Sequence, residues 1–353
     1  MSLSLNATDF GTLDQAITAS SLIKQNIAQL TAETSSGFLA SDYAGLGDAA
    51  GTALDLAAEI AGNKTLQDNA DAANTIQTVA QTALNQIVSI ANNFAGQATT
   101  LETTPASAGT VAASAQDALQ QVGELLDTKV GDVYVFAGQD SADPPVPDPA
   151  NLSQSAFAQA IQTAIAGLTT NGATATIAST LAIAAPGGTS PFSATLDASG
   201  VQSEVDLGDG ARVALAPLAN TNSNATSTGA GVSSTGSYTR DLLMGLATLA
   251  SLGQVDTSDP NYLPLVQSTV TTLQGASTAA STDIGALGDR QDQVTSAKTD
   301  SSGVTVALQT QLSSAQGADL AQVAAQLSAA QTQLQASYQV IAGLSQLSLA
   351  KYL

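Results

Sequence analysis

Apolar residues recur at alternating spacings of three and four near both ends of the chain, the rhythm that lines up one face of a helix. Ile23, Ile27 and Leu30 keep it in the first segment. Gly37, Gly45, Gly47 and Gly51 then interrupt the pattern, so residues 35–51 are expected to form a bend or a broken helix. The stretch 54–101 is the most regular: Ile76, Ala80, Ala83, Ile87, Ile90, Phe94 and Leu101 form a heptad seam with one step missing at Gln97. Between them stand Gln, Asn and Thr, so the outer faces carry hydrogen-bonding groups and can pack against further helices. Pro105 marks a break, and a helical pattern resumes over 111–128.

The texture then changes. The apolar run Val133-Tyr134-Val135-Phe136 is followed by Gly138 and by Pro144, Pro145, Pro147 and Pro149, a density of proline that no helix continues through. Residues 155–168 predict a short amphipathic helix, whereas 173–217 is rich in Thr, Ser, Gly and β-branched residues. Within it, Glu204-Val205-Asp206-Leu207 and Ala211-Arg212-Val213-Ala214-Leu215 alternate around Gly208-Asp209-Gly210, which predicts a β-hairpin. Helical stripes return with Leu242, Leu243, Leu246 and Leu249, and again over 262–294 after Pro260. Leu320, Val323, Leu327, Leu334, Ile341 and Leu344 keep heptad spacing in the last segment. The chain runs out at Leu347-Ser348-Leu349-Ala350-Lys351-Tyr352-Leu353, more apolar than a terminus that simply frays. The expected fold is mainly α, an elongated antiparallel helical rod built from both termini with an inserted mixed α/β middle domain. The expected divisions are 1–138, 139–238 and 239–353.

Composition narrows the picture. Hydrophobic residues make up 44% of the chain but aromatics only 3%, with no Trp, so much of the apolar content is Ala and each buried position removes little area from water. Thin helical packing suits such a sequence better than a thick globule. A formal net charge of −21 would repel phosphate backbones and anionic lipid, arguing against a nucleic-acid or membrane-surface role. Cys and His are both absent, which removes disulfides, thiolate and imidazole chemistry and the commonest zinc ligands. Residues 1–20 have no basic region followed by an apolar run, so a cleavable signal peptide is not expected, nor is membrane insertion.

Weaker motifs have plainer readings. The glycines of 45–51 lack dinucleotide spacing and a phosphate-binding Lys, and Asp206 and Asp209 belong to a hairpin turn rather than a calcium loop. Asn63, Asn151 and Asn224 open sequons that arise by chance in a chain rich in Asn, Ser and Thr. No acid–base pair stands out. No catalytic residue, cofactor or metal ligand is expected.

Two ends carry a resemblance. Leu30-Thr31-Ala32-Glu33-Thr34-Ser35-Ser36-Gly37 resembles the flagellin signature in which a Leu-led helix ends in Ser-Ser-Gly, and Asn69 and Asn74 resemble the start of that family's next helix. Asp319-Leu320 through Leu334-Gln335-Ala336-Ser337 to Leu353 resembles the family's terminal helix. Within the flagellin superfamily, Asp132-Val133-Tyr134-Val135-Phe136-Ala137-Gly138 before Pro144-Pro145, and Ala286-Leu287-Gly288-Asp289-Arg290, resemble segments of the hook-associated protein 3 family. Phe38-Leu39 and Asp42-Tyr43-Ala44-Gly45 depart from the flagellin pattern, which has a basic residue and then Asp-Asp-Pro there.

The resemblance implies a non-enzymatic structural subunit of the bacterial flagellum, secreted without a cleavable signal. Its role would be to form the hook–filament junction by helical self-assembly. The implied partners are its own copies, flagellin, the hook-side hook-associated protein, the export apparatus and an export chaperone. The assembly residues expected on this basis are Ile23, Ile27, Leu30, Ile76, Ile87, Ile90, Leu320, Leu327, Leu334, Ile341, Leu344, Leu349 and Leu353. The alternatives are a flagellin of the filament itself and, more remotely, a coiled-coil adhesin or fibre.

Overall fold

The computed structural model describes residues 7–40, 42–208, 210–221 and 234–350. Helix α1 (Ala7–Ser36) is followed, after a bend and a 3-10 turn, by α2 (Ala49–Leu101) and α3 (Ala108–Leu126). A small ladder, β1 (Lys129–Val130) and β2 (Val133–Tyr134), leads to α4 (Ala156–Ala166), α5 (Leu168–Ala184) and α6 (Ala194–Ser199). The hairpin β3 (Glu204–Asp206) and β4 (Arg212–Ala214) precedes α7 (Tyr238–Ser251), α8 (Tyr262–Gln316) and α9 (Leu320–Ala350). The fold is therefore mainly α, with long helices at both ends and two small antiparallel ladders between them.

Contacts divide the chain into two units, Thr65–Ser301 and the pair of segments Met1–Lys64 and Ser302–Leu353. In the first of these, α2 and α8 run antiparallel: Asn92 meets Ser277 at 2.7 Å, Asp71 pairs with Lys298, and Gln67 lies 3.5 Å from Ser301. The inward face of α2 is a continuous row of ten, Ala70, Ala73, Gln77, Ala80, Leu84, Ile87, Ala91, Phe94, Ala98 and Leu101, each buried. The row has no gap. The step expected to be missing at Gln97 is supplied by Ala98, because the seam passes through Ala91 and Ala98 as well as through the larger side chains.

Residues 139–238 share one core with α2, α3, α7 and α8, through Val146, Leu152, Phe157, Ile161, Phe192 and Leu218 among others. Helix α5 falls largely within the stretch 173–217, rich in Thr, Ser, Gly and β-branched residues. It is broken at Gly172 (φ 80°), where the Asn261 side chain accepts a hydrogen bond from the Ala173 amide at 3.2 Å. The hairpin forms where expected, with Asp206 opposite Arg212, and seats Val213 against Ala70, Ala73 and Val294. Arg240, only 4% exposed, is fully engaged: it pairs with Asp197, donates to the carbonyls of Asn220 and Ala184, and stacks over Phe192. One buried cation thus ties the ends of α5, α6 and α7 together, and a charge taken out of water persists only with such partners.

Two of the sequence motifs acquire structural reasons. In Val133-Tyr134-Val135-Phe136-Ala137-Gly138, the Phe136 carbonyl accepts from the Ala219 amide, and Gln139 donates to the Val201 carbonyl. Gly138 stands between these bonds at φ 67°, and a Cβ there would lie 2.2 Å from the Val201 oxygen. In Leu287-Gly288-Asp289-Arg290, Leu287 is fully buried. Arg290 sits within electrostatic reach of the Tyr238 hydroxyl, whose pKa is pushed well up by burial and by Asp283 beside it. The proline-rich stretch is held from α3: Gly123 leaves room for Pro149, and the Asp127 carboxylate accepts from the Val146 amide at 2.8 Å.

Gly138→Ala is expected to cost roughly 3 kcal/mol, from a left-handed backbone plus a contact that only backbone movement can relieve. A urea midpoint unchanged by the substitution would contradict the close approach. Asp127 offers a second test. Partial burial pushes its pKa up to about 6, against the opposing pull of the Val146 amide and Lys129. A carboxyl raised in the folded state binds its proton more tightly there, so ionisation weakens the fold above about pH 6 and the loss is recovered as pH falls toward 4. Asp127→Asn keeps an acceptor for Val146 and removes the charge. It should stabilise the protein at pH 7 by on the order of 1 kcal/mol, discounted because the carboxylate is half-buried, and should flatten the pH dependence between 7 and 4 in denaturant titrations.

Candidate assembly surface

Helices α1 and α9 pack against each other in the unit that contains both termini. They run antiparallel: Ser20 Oγ meets Ser337 Oγ at 2.6 Å, Lys24 lies over the Tyr338 ring, and Leu30 clusters with Val323 and Ala330. A backbone bridge closes that end, with Leu39 donating to the Gln316 carbonyl and Ala318 to that of Gly37. Asp319 then starts α9 by accepting from the amides of Ala321 and Gln322.

Each helix of this pair buries one narrow face. Along the described side chains of α9, Val323, Leu327, Ala330, Leu334, Ser337 and Ile341 are buried or half-buried at steps of three and four, and every other described one is exposed. Along the described side chains of α1 the matching row is Ala16, Ser20, Ile23, Ile27, Leu30 and Glu33. That is a coiled-coil seam about two residues in seven wide. Flanking it, Ile17, Leu22, Tyr338 and Val340 are 52%, 61%, 46% and 57% exposed.

The chemistry of the exposed faces is unusual for a surface. Over residues 301–350 the only charged side chain is Asp319, in a protein whose net charge is −21. Ala, Gln, Ser and Thr make up most of what α9 presents to its surroundings. Such a surface carries neither the charge that keeps a solvent-facing helix apart from its neighbours nor a lattice of ion pairs to hold it alone. It is smooth enough for other helices to approach closely.

The expected assembly residues fall into different settings. Ile27, Leu30 and Leu327 come together in the α1–α9 cluster, and Ile23, Leu334 and Ile341 extend its seam as half-buried side chains. Leu320 is 51% exposed at the start of α9. Ile87 and Ile90 are buried in the core of Thr65–Ser301, with Ile76 packed at its edge. The side chains of Leu344 and Leu349, and all of Leu353, lie outside the described residues, as do Asp209 and the Asn224 sequon. Ile17, Leu22, Tyr338 and Val340 escaped the heptad reading because they stand off the seam. The lack of charge over 301–350 was the signal that would have found this surface.

Among the described residues no group of three or more acidic side chains is placed to hold a metal ion, and no helix is long and apolar enough to cross a membrane. Asp206 spends its carboxylate on the Gly208 amide of the hairpin turn. Asp42 does the same for Gly45 at the 3-10 turn, so the glycines of 45–51 serve a chain bend.

No curated protein matches the chain. Residues 270–353, about a quarter of it, match the family model of the bacterial flagellin C-terminal helical region, which covers most of α8 and all of α9. This match to the helices that carry the uncharged surface supports the flagellin superfamily and, with it, a structural subunit of the flagellum.

Proposed function

We propose that the protein is an exported subunit of the flagellar axis that forms the hook–filament junction, assembling helically through α1 and α9. The observation that carries this reading is the one-faced α1–α9 seam, in which α9, the helix with the uncharged outer surface, belongs to the stretch similar to the flagellin C-terminal region. A subunit joining two helical lattices needs head-to-tail contacts that do not close on themselves, and helices from both termini presented side by side provide such contacts. The flanking side chains Ile17, Leu22, Tyr338 and Val340, together with Ile23, Ile27, Leu30, Leu320, Leu327, Leu334 and Ile341, would be covered by neighbouring subunits. Residues 139–238 would lie on the outer face, where their hairpin and proline-rich loop meet solvent. The Tyr-x-Phe-Ala-Gly segment favours the junction family, and no catalytic step is assigned to any residue. Export would use the flagellar apparatus, with a chaperone covering the terminal helices beforehand.

A second reading, a subunit of the filament itself, is favoured by the family match, since the model describes flagellins. Seeding separates the two. Purified protein that adds only to isolated hook ends supports the junction role, and long filaments from the protein alone would establish the filament role instead. Removing residues 334–353 should leave a soluble protein that no longer assembles, and normal motility from that truncation would refute assembly through α9. A nonspecific protease should trim the terminal helices of the free protein first and spare a fragment close to Thr65–Ser301. The reverse order of cleavage would contradict the assignment of the terminal helices as surfaces awaiting partners.

A further inference from the structure

Along the ten-residue seam of α2, one position breaks the apolar rule: Gln77 is 0% exposed. Its amide nitrogen donates to the Ala214 carbonyl of β4 at 3.3 Å, which fixes the side chain's orientation, since the opposite setting would place oxygen against oxygen. The amide oxygen of Gln77 is therefore turned away from the hairpin. It is buried and has no hydrogen-bond partner among the described residues. Across the seam, the side-chain nitrogen of Gln291 on α8 is also buried and also lacks one.

The register of the two helices sets these two residues at the same level. Asn92 with Ser277, Asp71 with Lys298 and Gln67 with Ser301 define the antiparallel alignment, and the same alignment sets position 77 opposite 291 and 292. Of those two, Asp292 is exposed and Gln291 turns inward. An acceptor without a donor on one helix and a donor without an acceptor on the other thus stand at the same level of the seam, with no hydrogen bond between them, and each carries a desolvation cost while left alone.

We infer that Gln77 and Gln291 act as one polar lock across the α2–α8 seam, which couples the axial register of the two long helices to the seating of the β3–β4 hairpin. A single polar position in an apolar heptad seam specifies alignment, because any slide of one helix along the other buries its amide against hydrocarbon. Here the same amide also holds the hairpin. Sliding α8 against α2 would then free the Ala214 carbonyl, and lifting the hairpin would free Gln77 to abandon its register.

The test uses the full-length protein and three variants, Gln77→Leu, Gln291→Leu and the double substitution. Gln291→Leu is the decisive one, because Gln291 has no hydrogen bond to the hairpin. The lock predicts that this variant speeds amide hydrogen exchange at Leu207 and Leu215, whose amides close the hairpin, by about tenfold while distant helices keep their protection. It also predicts that each single change lowers the urea midpoint and that the double variant recovers most of the loss. Unchanged exchange in the hairpin of Gln291→Leu, or single effects that simply add in the double variant, would overturn the inference. Should Gln77→Leu fail to fold, the exchange measurement on Gln291→Leu decides alone.

Discussion

The antiparallel contact between α2 and α8 is the constraint on which Thr65–Ser301 depends. Five of its ten seam positions on α2 are Ala, and so small a side chain lets helices approach until their backbones nearly set the distance. Packing of that kind tolerates little error. Gly245, against which Leu273 is pressed, and Gly253, close to Ala112, repeat the theme where other helices meet. The individual methyl groups contribute little, so stability comes from the length of the seam and from the larger side chains around it, Leu84, Ile87, Leu119, Phe136 and Phe157.

On that frame the polar groups decide which arrangement is unique. Arg240 reaches two carbonyls, one carboxylate and one aromatic face from a single buried position, and none of those partners belongs to its own helix. Asp241 next to it accepts from the Thr235 amide and from the hydroxyls of Ser234 and Thr235. The start of α7 is therefore specified by directed bonds, whereas its middle is specified by apolar contact with α3. Hydrocarbon alone would allow α7 to rotate or slide among many similar Ala and Leu neighbours. The buried ions and amides remove that freedom.

The long helices were legible because their apolar residues keep a single period over many turns, and a one-sided seam leaves that period unobscured. Ile23, Ile27 and Leu30 marked α1, and Val323, Leu327 and Leu334 marked α9. The hairpin was legible from alternation around two glycines. Helix α5 was not, because its Thr residues, Asn171 and Gly172 have weak helical preference and its apolar residues form no stripe, so tertiary contact sets its state. The part of α8 beyond Val294 was also missed, since Val304, Val306, Leu308 and Leu312 are the large apolar side chains of its Ser- and Thr-rich sequence and do not keep the alternating spacings of three and four. At the candidate surface the seam could be read from spacing. The exposed flanks could not, because an Ile or Tyr off the period looks like an ordinary surface residue until the missing charges around it are noticed.

The α1–α9 cluster has consequences of its own for how stability is defined in this chain. Among the described residues its buried apolar side chains are Leu30, Val323 and Ala330, against dozens in the core of Thr65–Ser301. Opening the small cluster exposes little hydrocarbon, so its free energy lies far below that of the large core and responds only weakly to denaturant or temperature. A single melting temperature for the free subunit would describe the larger unit alone. Helical content would begin to fall before any signal from the buried tyrosines moved, and the gap between the two signals would measure how much of the fold of the terminal helices a neighbouring molecule has still to supply.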